Sequence, residues 1–180
     1  MLLKKVKKIL EDEDFECTLS PSTGNFPVDR LIVNLSLDMK KRDRTMEIFA
    51  GQQKVCPLFV LPKEESLPYR ILFCIKLPFK VIDLALSQVS SLLHFINQFI
   101  DLPGFELNES EGEVLYRYVW IFPPSIINST LIMCIVDAML VNLSLFAETI
   151  ESLADGKISF NDLLAQIVQI SEKAKSGSFI

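Results

Sequence analysis

The chain has 180 residues and a mass of 20.4 kDa, the size of one domain and too short for two ordinary ones. Eighteen Lys and Arg stand against 23 Asp and Glu, a net charge of −5, which argues against a nucleic-acid partner because phosphate contacts need a basic face. Hydrophobic residues make up 49% and the mean hydropathy is +0.32; this excludes disorder and predicts a large core with apolar surface left over for a partner.

Leu2, Leu3, Val6, Ile9 and Leu10 share one face of a short amino-terminal helix, with Lys4, Lys5, Lys7 and Lys8 on the rest. The lysines sit where the helix dipole disfavours them, so this helix needs tertiary docking. Residues 15–19 read as a short strand, and Ser20-Pro-Ser-Thr-Gly-Asn as a turn. Leu31, Val33, Leu35 and Leu37 alternate with polar residues, the pattern of a half-buried strand. Residues 40–44 read as a solvated charged turn, 45–50 as the next strand, and 55–61 as an extended segment that Pro57 assigns to an edge. Tyr69, Ile71, Phe73, Ile75 and Leu77 mark a further strand, which Pro78 is expected to close.

Residues 81–101 follow helical periodicity, with Ile82, Leu86, Val89, Leu93, Ile96 and Ile100 as the main stripe, Phe99 beside it, and Leu84 and Phe95 off it. Pro103-Gly104 ends that helix. Residues 105–107 and 113–122 form a hairpin turning near Gly112; Val114, Tyr116, Tyr118, Trp120 and Phe122 share one face, and Leu115, Val119, Ile121 and Arg117 the other. A long helix capped by Ser125 runs to about residue 154, and Gly156 suits the position after its end. Ser159 and Asp162 resemble a capping box for a last helix over 160–175. The reading is one α+β domain over residues 1–175, with 157–175 a helical extension and 176–180 a frayed tail. The order is α-β-β-β(-β)-α-β-β-α-α, and the meandering connections make the sheet mostly antiparallel, with helices packed on it.

No catalytic signature emerges. His94 is the single histidine, and the residues at helical spacing from it are poor metal ligands. Cys17, Cys56, Cys74 and Cys134 are widely spaced and read as reduced thiols of a cytosolic protein. Six glycines fit no phosphate-binding loop. Glu106, Glu109, Glu111 and Glu113 read as a solvated hairpin, and Arg117 as the partner of an acid. No metal, no cofactor and no enzymatic activity are expected. The basic start lacks a continuous apolar run and is not expected to act as a signal peptide. Residues 126–146 approach the length of a bilayer span, but Asp137 and the lack of flanking Lys or Arg favour a buried or interface helix.

Leu77-Pro-Phe followed by a long helix, then Gly104-Phe-Glu-Leu-Asn-Glu-Ser-Glu-Gly-Glu-Val-Leu-Tyr-Arg-Tyr, then Leu140-Val-Asn-Leu-Ser-Leu-Phe-Ala and Asp155-Gly-Lys-Ile-Ser resemble the YbjN-type family. The fold of that family is similar to that of bacterial type III secretion chaperones. The resemblance spans residues 2–170, and the segment 55–61 and the last helix fit the YbjN branch. It implies a secretion-chaperone-like fold and a non-enzymatic cytoplasmic bacterial protein, chaperone or regulator, that binds a protein client and forms a homodimer. Leu2, Val6 and Leu10, with Leu58 and Val60 at a sheet edge, are the expected client surfaces. Leu84 and Phe95 are the expected dimer contacts. The second reading is a peripheral membrane protein using its basic first helix, and the third an enzyme of unknown type.

Overall fold

The computed structural model describes residues 2–23, 28–53, 67–123 and 126–176. Six strands, β1 (Cys17–Ser20), β2 (Arg30–Leu35), β3 (Arg44–Gln52), β4 (Tyr69–Lys80), β5 (Phe105–Asn108) and β6 (Glu113–Phe122), form one sheet of order β1-β2-β3-β4-β6-β5. Every pairing is antiparallel. The helices are α1 (Leu2–Glu11), α2 (Leu86–Asn97), α3 (Ser129–Ala154) and α4 (Phe160–Ser176), with one 3-10 turn at Asp83–Ala85 before α2. The class is α+β, as the meander of alternating strands predicts.

Strand alternation decides which face is covered. Leu31, Val33, Met46, Ile48, Ile71, Phe73, Ile75, Val114 and Tyr116 are all buried and share the helix side through the strand register. α1 packs on β1, β2 and β3 and also touches α3; α2 lies on β5 and the other flank of α3; α4 rests on α2. The rings of Phe105 and Tyr116 stack with centroids 4.2 Å apart. The Tyr116 hydroxyl donates to the Leu102 carbonyl at 2.8 Å and accepts from Asn142 Nδ2 of α3 at 2.8 Å, which bolts α3 to the sheet. Gly104 lets β5 close on β6: a Cβ there would lie 1.9 Å from the Arg117 carbonyl oxygen.

The helix ends follow the sequence cues. Gly156 has φ +69°; its N–H reaches the Leu153 carbonyl and that of Lys157 the Ser152 carbonyl, a Schellman end. Ser159 and Asp162 form the reciprocal box: each backbone N–H donates to the other's side chain at 3.1 Å. Other expectations need correction. β4 is not closed by Pro78; it runs to Lys80, with a register shift between Lys76 and Lys80 that accommodates the missing N–H. Asn128, accepting from the Thr130 N–H, caps α3; Ser125 and the segment 55–61 lie outside the described residues. The helix expected over 81–101 is α helix only from Leu86 to Asn97. The Asn97 side chain accepts from the N–H groups of Gly104 and Phe105 and donates to the Phe105 carbonyl, so the chain turns there toward β5. Phe99 is thereby thrown outward, 71% exposed.

Candidate functional site

The turn between β2 and β3 is folded by Asp38. Its Oδ1 accepts from the backbone N–H groups of Lys40 (2.9 Å) and Arg42 (2.8 Å), and Lys41 adopts φ +60°. This local wrap aims Arg42 inward. Its guanidinium donates to both carboxylate oxygens of Glu151 on α3 at 2.8 Å each, to Asp38 Oδ2 at 2.6 Å and to the Pro78 carbonyl at 3.1 Å. Lys40 Nζ adds a 2.7 Å contact to Glu151. Glu151 is only 7% exposed, and a buried carboxylate persists where cations match it. The hydrogen bonds from Arg42, helped by Lys40, outweigh burial and hold the Glu151 carboxyl below its ordinary range. Burial would raise the Asp38 carboxyl, but the hydrogen bonds and charge of Arg42 bring it below its ordinary range.

Beside this clasp lies a cleft of about 210 Å³ between the turn, β4 and the carboxyl-terminal half of α3. Leu37 and Met39 form its lip, and Leu77, Phe79, Leu143 and Ala147 are among its walls. Met39 is 91% exposed. The volume falls below the roughly 300–1,000 Å³ of typical cofactor and drug-sized pockets and suits insertion of a bulky apolar side chain. Methionine at the lip adds an adaptable, polarizable contact. Sequence reasoning took residues 40–44 for a solvated loop. The signal that could have exposed the clasp is Glu151, an acid adjoining Ile150 and Leu153 on the buried side of a helix, where a charge demands a partner.

The residues singled out from sequence are placed as follows. Val6 and Leu10 are fully buried: α1 docks its apolar face on the sheet, so these two are core and not client surface. Leu2 is half-buried and borders an open hollow of about 750 Å³ with Leu19, Val28 and Tyr69. Leu58 and Val60 lie outside the described residues. Leu84, in the 3-10 turn, is 89% exposed and free to meet a partner. Phe95 is half-buried between Phe99 (centroids 4.9 Å apart) and Phe160 of α4 (6.2 Å), so α4 occupies the surface expected for a dimer contact. Arg117 forms the expected ion pair, donating to Glu106 at 2.6–3.0 Å. His94 is exposed and bonded to Gln98. Burial pushes the Cys17 and Cys74 thiols up, away from the thiolate state. Among the described residues no three His, Cys, Asp or Glu side chains gather as a metal set. α3 is long and apolar enough to cross a bilayer, a property shared by core helices of soluble proteins.

Comparison of the sequence with models of known protein families, and with curated proteins, finds no match.

Proposed function

We propose that the chain is a non-enzymatic protein-binding module, chaperone-like or regulatory, that takes an apolar side chain of a client segment into the cleft behind Met39. The observation that carries this reading is a cleft of about 210 Å³, mostly apolar in surface though Arg44, Lys76 and Glu148 also line it, with a 91% exposed methionine at its lip. A bare methionine on a rigid turn costs solvation and is useful when something covers it. The clasp beneath holds the turn still, so the cleft is pre-formed and a client loses little to reorganisation. The resemblance to YbjN-type proteins and type III secretion chaperones points the same way, and a cytoplasmic, bacterial, homodimeric protein belongs to that reading. Use of α1 as a membrane anchor is disfavoured by the docking of its apolar face on the sheet.

The test is aggregation of reduced, unfolded α-lactalbumin followed by light scattering. Wild type should delay it, and Met39→Asp and Ala147→Trp, which charge or fill the cleft, should lose the delay while melting as wild type does. Wild type without effect on the client, or cleft variants as active as wild type, would overturn the proposal.

A further inference from the structure

The outer side of α3 carries a row that the described residues leave largely exposed. Leu131, Cys134, Ala138, Val141 and Leu145 succeed one another at alternating spacings of three and four residues, the 3.5-residue period of a helix–helix seam. Ala138 is half-buried and the other four are exposed, Leu145 at 62%. The core is served by a separate face through Ile132, Val136, Met139 and Leu143. A lipid-facing helix would be apolar on the flanks as well, whereas Thr130, Asp137, Ser144 and Glu148 border this row and are exposed.

We infer that the row is the two-fold interface of a homodimer in which α3 packs antiparallel against α3 of a second copy. Size complementarity argues for this occupant. In the antiparallel register four of the five pair large with small, Leu145 facing the partner's Cys134 and Val141 the partner's Ala138, while Leu131 lies beside the partner's Glu148. Parallel packing would set Leu145 on Leu145 and Ala138 on Ala138, leaving a gap at mid-seam, and would place Glu148 beside the partner's Glu148. Charge argues the same way. No Lys or Arg occurs between residues 129 and 154, so a like-with-like seam has no cation to relieve it. The antiparallel arrangement carries Glu148 to the first turn of the partner's α3, where free N–H groups and the helix dipole favour an anion, and sets Asp137 near a serine, the partner's Ser144. The row spans about 21 Å of helix at 1.5 Å per residue. This interface is separate from the cleft and does not rest on its proposed role.

Light scattering on size-exclusion fractions across a concentration series should give a mass about twice 20.4 kDa. Val141→Asp with Leu145→Glu should give the monomer mass with the circular dichroism of wild type. A second measurement reads the register directly. With Cys17, Cys56 and Cys74 changed to Ser, Leu145→Cys should be oxidised to a covalent dimer through Cys134 of the other copy, while Cys134 alone should not cross-link. Three helical turns part positions 134 and 145, so no link forms within one chain. A wild-type monomer at every concentration would overturn the inference, leaving the row to a foreign helix. Cross-linking by Cys134 alone, or none with Leu145→Cys, would overturn the register.

Discussion

A carboxylate as buried as Glu151 is stable in the fold only while Arg42 and Lys40 stay bonded to it. Glu151→Gln keeps the shape and removes the charge, leaving two cations short of their anion. Because Lys40 is half exposed and Arg42 keeps Asp38, the loss should fall at the low end for breaking a buried pair, about 3 kcal/mol. Urea denaturation at neutral pH measures it. The pH dependence has a definite sign. The folded-state pKa of Glu151 is lowered, so the stability it contributes is complete above the ordinary Glu value of about 4.3 and drains away as pH falls below it through the folded pKa. Wild type and Glu151→Gln should therefore converge in stability at acid pH and diverge at neutral pH. Parallel curves over that window would contradict the assignment.

Among the elements, α1 shows how one sequence pattern serves two readings. Its row of leucines and valine beside lysines suits a membrane surface as well as a sheet, and only the sheet's matching apolar side resolves the choice. Leu10 is fully buried, so Leu10→Ala should cost about 2–5 kcal/mol as a core truncation. Lys4→Glu, exposed in the first turn where the helix dipole favours an acid, should be neutral to stabilising, by up to about 1 kcal/mol. Chemical denaturation of the two variants separates a docked helix from one held elsewhere. The element order, the alternation of β2 and β4, the Gly156 end and the Ser159–Asp162 box were legible because each is encoded within a few neighbouring residues. What was not legible depends on distant partners. The strand β4 passes Pro78 because its pairing with β6 shifts register at that point. The helix α2 stops short because Asn97 bonds to β5. The charged turn is a clasp because Glu151 lies 109 positions away. No local pattern carries such information.

On the scale of the whole molecule, the high apolar content resolves into a one-sided core and a few outward rows. One face of the sheet is sealed by α1, α2 and α3, and the opposite face carries Val119, Ile121 and half-buried Phe49 and Leu72 among charged residues. The outer row of α3 and the cleft by Met39 both sit on elements packed or bonded from beneath. If α3 pairs with α3 of a second copy, folding and assembly are linked by mass action. The melting temperature of wild type should then rise with protein concentration, and that of Val141→Asp with Leu145→Glu should not. Differential scanning calorimetry at several concentrations checks this; a melting temperature indifferent to concentration in wild type would count against the pairing.

The clasp between the β2–β3 turn and α3 also has a bearing on time. It unites segments separated by most of the chain, and contacts of such long sequence separation close late, after the loops between them have been ordered. An interaction absent from the transition state governs the escape rate from the native state more than the rate of arrival. Arg42 and Glu151 thus act as a latch on the lifetime of the fold: stopped-flow measurements on Glu151→Gln should show faster unfolding with refolding little changed.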